Sequence, residues 1–423
     1  MDNVREQIRR MTDGEDVSEL GERLAPDHSD LPPRVPGATL HSPEAIEKRW
    51  RLVEDAGDGG AKASLLTPQA AAEAEAYAGS IENYIGTLRV PVGLAGPLRV
   101  NGLHAKGDYY IPLATTEAVL VASYHRGCRL ISEAGGCASL LLMEGVSRSP
   151  GFEFASLREA GEFVRWIGMN FDPIKGAAEA TTRHGELRDV RVNVEGNHVY
   201  LFFEYLTGDA AGQNIATIAT KAACDFILES SPVRAHLYFV EANMSGDKKA
   251  SAQSFQSVRG KKVSAEVRLP ADLLRKRLHC DAAGMEAYWR MSAMGGVMSG
   301  TIGVHGHYAN GLAALYLATG QDVACVAESS VGVTRFQACG DGSLYAAVTL
   351  PNLIVGTVGG GTRLPTQHAS LEILKLAGDG HAQALAEVCA GLALAGELSI
   401  IGALVADEFS RAHQKRTRDH GRG

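Results

Sequence analysis

No Cys-x-x-Cys spacing occurs in this sequence. Its seven cysteines, at positions 128, 137, 224, 280, 325, 339 and 389, are scattered and odd in number. That pattern excludes a disulfide framework and a cysteine-bound zinc site, so no metal is expected and a reducing cytoplasm fits. No run of about 18 uncharged apolar residues is present. Met1 to Arg10 is charged and does not lead into an apolar signal core, so the expectation is a soluble, unexported, cytoplasmic protein with no membrane partner. There is also no stripe of Lys and Arg interleaved with aromatics. With a net charge of −8 and both signs interspersed, a nucleic-acid partner is not expected. Small metabolites fit better.

A chain of 423 residues predicts two or three domains. Residues 1–60 are polar, broken at Leu31-Pro32-Pro33 and rich in glycine at Gly57–Gly60, which reads as a helical leader. From Glu82 to Gly127 the text becomes apolar and punctuated by Pro and Gly, as for short strands and tight turns. Residues 154–240 mix predicted helices (Leu157–Ile167, Asn214–Leu228) with predicted strands (His198–Tyr205, His236–Val240), an inserted small α+β body. Beyond it come a predicted strand at Val263–Leu269 and two Ala/Gly-rich apolar segments at 293–318 and 380–409. Their small residues suit close helix packing, and their interspersed charges speak against a membrane span.

Four clusters could carry chemistry. Ala114-Thr115-Thr116-Glu117 sets one carboxylate in an apolar run before Val119–Ala122 and predicts a helix with Glu117 in its first turn. That acid either stabilises the helix dipole or does chemistry. Ser245-Gly246-Asp247-Lys248-Lys249 presents two lysines on a glycine turn, either solvated or, at Lys248, placed to stabilise an oxyanion. Gly320-Gln321-Asp322 ends an apolar segment, so Asp322 either caps a helix or is coupled to Lys248 and Glu117. His413, in a basic terminal stretch, is either solvent-exposed or a proton donor on a closing tail. Two glycine-rich runs remain. Gly356–Thr362 matches neither the dinucleotide fingerprint nor the Walker A loop, yet could offer backbone N–H groups to a phosphate. Gly208–Asn214 opens a predicted helix whose N-terminus could hold a pyrophosphate, or is a plain turn and cap.

Taken together and in order, these motifs resemble the 3-hydroxy-3-methylglutaryl-coenzyme A reductases, specifically the first of that family's two classes. The resemblance runs from Glu82-Asn83-Tyr84-Ile85-Gly86 through PVGLAGP, ATTE, GDAAGQN, SGDKK, GQD, GTVGGGT and AGELS to His413. It implies an NADPH-dependent four-electron reduction of an acyl-CoA thioester to a primary alcohol, through a hemithioacetal and an aldehyde. By resemblance Glu117 is the proton donor, Lys248 the oxyanion stabiliser, Asp322 the group that tunes them and His413 the acid for the departing thiolate. Arg183, Asp209, Gly212, Gln213, Asn214, Gly359 and Gly360 match positions at the cofactor, and Arg183 favours NADPH over NADH. Glu82, Asn83, Ser123, Arg126, Asp247, Lys249, Lys261, Arg290 and Asn310 match substrate positions. The implied fold is α+β: a leader (1–60), a large acyl-CoA domain (61–153 and 241–400), an inserted ferredoxin-like cofactor domain (154–240) and a C-terminal flap (401–423). The implied assembly is a homodimer or dimer of dimers with shared active sites.

One departure stands out. Where the family holds its acyl carboxylate with an arginine and a serine, this sequence has Glu153 and Glu241, although Lys249 is kept and Arg290 replaces a lysine. Two acids would repel a carboxylate, which opens the alternative of a neutral or cationic acyl-CoA, while intact reacting residues argue against a non-catalytic coenzyme A-binding protein.

Overall fold

The computed structural model describes residues 2–12, 22–28, 31, 33–53 and 60–408. It divides into two compact units, Met1–Leu88 and Arg89–Gly423. In the first, helix α1 (Pro43–Arg51) starts at Ser42, whose side chain accepts the N–H of Ala45, with Pro43 at its first position. The apolar side chains Ile46, Trp50, Ala74 and Tyr84 cluster. Arg49 is buried because main-chain carbonyls satisfy its guanidinium: it donates to Pro36 (3.1 Å), Leu40 (2.7 Å), Tyr84 (2.8 Å) and Gly37. Trp50 donates to the Ile85 carbonyl at 2.9 Å. The segment 82–86 is thereby fixed by backbone carbonyls, leaving the Glu82 and Asn83 side chains exposed.

The described residues of the second unit form ten strands. β1 (Val92–Gly102) and β2 (Lys106–Ala114) form an antiparallel hairpin, and β1 continues in parallel beside β3 (Cys137–Arg148). Between them lies helix α2 (Leu120–Glu133). β3 spans two sheets: Ala138–Gly145 pair with β8 (Gly260–Leu269) and Val146–Arg148 with β6 (His198–Leu206). β9 (Val333–Ala338) and β10 (Leu344–Leu353) complete the large sheet beyond β8.

The smaller sheet runs β7 (Leu237–Phe239), β4 (Gly151–Glu153), β6, β5 (Glu186–Glu195), all antiparallel. Helices α3 (Leu157–Met169) and α4 (Phe171–Glu179) follow β4, and α5 (Gln213–Ser230) follows β6, giving the chain order β-α-α-β-β-α-β. This body has its own core, with Phe152, Phe163, Ile174, Phe203 and Tyr205 among its buried members.

The apolar segment expected at 293–318 is two helices, α6 (Ala282–Ser299) and α7 (Tyr308–Thr319), because Gly300 and Gly303 take positive φ between them. Helix α8 (Ala382–Val405) is long and apolar enough to cross a membrane, yet 83% of its apolar window is buried in the protein core. It packs against α2 where Gly127 meets the Ala395 carbonyl so closely that a Cβ would not fit. Its two fully buried acids act as braces. Glu387 accepts the N–H groups of Leu103, His104, Ala105 and Leu141 at 2.7–3.3 Å. Glu397 accepts those of Gly306 (2.7 Å) and His307 (2.9 Å), the His307 ring (3.2 Å) and the Thr334 hydroxyl (2.8 Å). Burial pushes Glu397 up, but the His307 ring and these donors outweigh it and hold it below the usual carboxylate range.

Candidate active site

Glu117 does not lie in a helix, which corrects the expectation. β2 runs to Ala114 and α2 begins only at Leu120, because Val119 takes a left-handed φ of 74°. In the intervening loop Thr115 Oγ1 accepts the Glu117 N–H at 3.0 Å. The carboxylate receives the Asn310 amide on both oxygens, at 3.1 and 3.0 Å, from α7. Glu117 borders two clefts, one with Val92, Val121 and His125, the other with Asn310, Leu317 and Val323.

Val323 is the residue after Asp322. Asp322 caps the turn Val323–Cys325 by accepting the Ala324 N–H and also pairs with Lys248 Nζ at 2.8 Å. The cap and the Lys248 part of the expected coupling therefore fall on this one side chain. The hydrogen bond to Asp322 pushes the Lys248 ammonium above its ordinary value. Glu117 is bonded to Asn310 and makes no ion pair with Lys248, so the three-way coupling reduces to a Lys248–Asp322 pair.

Lys248 rides on a strained turn: Asn243, Gly246 and Lys248 all have positive φ, of 64°, 73° and 54°. Beneath it lies a charge network that sequence reasoning missed. Asp247 accepts from Arg148 Nη1 at 2.7 Å and from Arg259. Burial pushes Asp247 up, but the two guanidinium groups outweigh it and leave it below the carboxylate range. Arg148 also lies 3.5 Å from Glu241, whose Oε2 accepts the Ser149 N–H (3.2 Å) and the Ser245 hydroxyl (3.0 Å). Gln213 Oε1 accepts from Arg148 (3.1 Å) and Arg259 (2.6 Å). The only sequence signal was basic residues beside apolar strand text, Val146-Ser147-Arg148 and Val258-Arg259-Gly260.

The other expected site residues are scattered. The two glycine-rich runs lie side by side, joined by a bridge between Ala210 and Val358. The Asp209 carboxylate accepts the Gly380 and Ala382 N–H groups at the start of α8, and Gln213 is bonded within the charge network. Gly212 (φ 78°) precedes Asn214 at the start of α5; around Gly359 (φ 76°) and Gly360 (φ 51°) a Cβ would meet nothing. Arg183 is exposed between α4 and β5. Ser123 bonds Ser399 (2.9 Å), and Arg126 donates to the Ser399 hydroxyl (3.0 Å) and carbonyl (2.7 Å). Lys261 is buried, paired with Glu144 at 3.1 Å, and so does not face a ligand as expected, since its strand turns it inward. Lys249 is exposed, bonded to the Asp247 carbonyl. Arg290 is exposed on α6, 3.7 Å from Glu286. Glu153, on β4, lies 3.8 Å from His198. Glu241 is not a bare acid as expected, because Arg148 neutralises it. His413 lies outside the described residues, and among those described no cluster could hold a metal ion.

Residues 45–418 match the family described as hydroxymethylglutaryl-coenzyme A reductase. The chain belongs to that family. It is 44% identical over 346 residues to the 3-hydroxy-3-methylglutaryl-coenzyme A reductase of Haloferax volcanii, covering 80% of this chain and 85% of that one. To the reductase of Pyrococcus horikoshii it is 42% identical, covering 79% and 83%. Its fold is similar to that of the class II reductase of Streptococcus pneumoniae bound to NADPH, with a TM-score of 0.64 at 19% identity over 85% of this chain and 97% of that one. In this reductase Glu117, Lys248 and Asp322 are thus held by three different elements, the β2–α2 loop, the 243–250 turn and the start of the 323–325 turn.

Proposed function

We propose that this chain reduces 3-hydroxy-3-methylglutaryl-coenzyme A to mevalonate and coenzyme A with NADPH. The observation that carries the reading is that Glu117 and the turn capped by Asp322 border one cleft while Asp322 holds the Lys248 ammonium. Lys248 supplies fixed positive charge to a developing oxyanion, Glu117 supplies a proton and Asp322 keeps Lys248 charged and in place. His413 protonates the coenzyme A thiolate.

The ferredoxin-like body formed by β4–β7 binds the cofactor. Open space at Gly359 and Gly360, the N-terminus of α5 at Gly212 to Asn214, and Arg183 fit a dinucleotide phosphate end. NADPH supplies hydride when bound; the residues named here bind, orient and protonate. Glu82, Asn83, Ser123 and Arg126 are assigned to coenzyme A, and Lys249, Arg290, Asn310 and Asp247 to the acyl end. The active form is a homodimer or dimer of dimers, which sedimentation of the full chain tests.

A second reading, a neutral or cationic acyl-CoA, is favoured by Glu153 and Glu241. The pairing of Glu241 with Arg148 weakens it, because a compensated acid repels a carboxylate far less. Turnover with several acyl-CoA thioesters tests both. Mevalonate formed with two NADPH oxidised per thioester supports the first reading; turnover only with acyl groups lacking a carboxylate overturns it.

A further inference from the structure

Glu328 is a fully buried acid to which the reaction assigns no part. It sits on the helical turn Val326–Ser329, directly after the turn that Asp322 caps. Its nearest cation is Arg259, itself 1% exposed, with Nε 3.7 Å from Glu328 Oε1. Both carboxylate oxygens, together with Arg259 Nε and Nη1, lack a hydrogen-bond partner. Arg259 is instead committed to Asp247, the residue before Lys248, and to Gln213.

The charge balance shows why. Around the turn three bases in ion pairs, Arg148, Lys248 and Arg259, already face three acids, Glu241, Asp247 and Asp322, while Lys249 is exposed and bonded to the Asp247 carbonyl. Ionised Glu328 is a fourth acid with no cation of its own. Among the described residues the groups that face it are Arg259 and Asp247 across the network, the Lys248 main-chain N–H from the turn, Cys325 on the preceding Val323–Cys325 turn and Tyr316 from α7. Among the described residues Arg259 is the base within reach: its Nε and Nη1 are unbonded, but Nε stands 3.7 Å away, so bonding an ionised Glu328 requires the guanidinium to move from its place on Asp247.

We propose that Glu328 is a positioning residue for Lys248, acting in its protonated form: while neutral it leaves Arg259 to Asp247 and the turn is held, and once ionised it draws Arg259 away and the turn slackens. Geometry and charge count carry this. The buried setting is consistent with it, since desolvation pushes Glu328 up to about 7, the Arg259 charge only partly offsetting it. Because the Lys248 turn is already strained, a modest loss of anchoring misplaces the ammonium, which acts on the reacting atoms rather than on ligand affinity. The inference rests on the role proposed for Lys248.

The test is kcat and KM against pH, from about pH 6 to about pH 8.5, for the native chain, Glu328→Gln and Lys248→Ala, with NADPH and hydroxymethylglutaryl-CoA. The native kcat is expected to fall roughly threefold to tenfold toward the alkaline end while KM for both ligands holds. Glu328→Gln, locked in the neutral state, is expected to lose that decline. The same decline in Glu328→Gln, or one carried by KM, overturns the inference. So does a Glu328→Gln variant that folds but has little kcat at every pH, since that would show the ionised acid to be required. Turnover surviving in Lys248→Ala instead overturns the lysine assignment, and the inference with it. Should Glu328→Gln not fold, difference infrared spectra of the native chain decide: a protonated buried carboxyl band that disappears in step with kcat supports the proposal, and its absence overturns it.

Discussion

The Lys248 ammonium lies 2.8 Å from an Asp322 carboxylate oxygen, and the same aspartate caps the turn on which it stands. Cap and ion pair share one side chain, so the lysine is referenced to a fixed piece of backbone. Asp322→Asn keeps the cap acceptor and removes the charge. Its kcat is expected to drop by about two orders of magnitude with KM for NADPH little changed. The Lys248 ammonium, which the Asp322 hydrogen bond pushes upward, should then lose its proton at lower pH, bringing the alkaline loss of activity to lower pH. Steady-state rates against pH check both parts.

Glu117 depends on a single amide. Asn310 holds both of its oxygens, at 3.1 and 3.0 Å. Asn310→Asp places a second acid there, and two carboxylates at that distance share a proton. The limb of the rate profile on which Glu117 loses its proton is expected to move to higher pH, whereas Asn310→Ala is expected to lower kcat roughly tenfold without moving that limb as far. Rate profiles of the two variants at saturating substrate separate charge from positioning.

These two anchors differ in how far they could be read from sequence. An acid inside Leu113–Leu120 text is visible because it breaks an apolar run, but its backbone was misread. Threonines before an acid suggest a helix start, and only the positive φ of Val119, set by the β2–α2 junction, defers the helix to Leu120. The alternating strand and helix text at 154–240 falls on the elements α3 to β7. The network under Lys248 was not legible, because Arg148, Asp247, Arg259 and Glu328 are brought together by β3 crossing between sheets, and nothing local marks an arginine as buried. Lys261 failed for the same reason: its strand position, not its neighbours in sequence, turns it toward Glu144.

Arg183 is exposed on the short connection between α4 and β5, with its charge available to a phosphate. If it reads the 2'-phosphate of the cofactor, Arg183→Ala is expected to raise KM for NADPH about tenfold or more and leave KM for NADH nearly unchanged. Equal losses with both cofactors would move the phosphate site elsewhere on this body.

Glu387 makes a prediction about stability alone. It is fully buried and satisfies four backbone N–H groups from the β1–β2 turn and β3. Glu387→Leu strands those donors, at a cost of about 3–5 kcal/mol. Denaturant melts should show the loss, and kcat of the protein that remains folded should be close to native, since Glu387 touches no residue of the cleft.

Glu328 leaves a signature in stability as well as in rate. Below its unfolded value of 4.5 the carboxyl is protonated in both states and contributes no pH dependence. Between 4.5 and about 7 the unfolded chain releases the proton and the folded chain keeps it, so rising pH favours unfolding across that window. The native chain therefore loses about 3 kcal/mol through this one group by neutral pH, an order-of-magnitude figure from the shift. Glu328→Gln has no proton to release. Its melting temperature is expected to match the native one near pH 4.5 and to rise above it as pH approaches 7. Equal melting temperatures at both ends would mean that the folded protein carries Glu328 ionised, and that Arg259 compensates it without leaving Asp247.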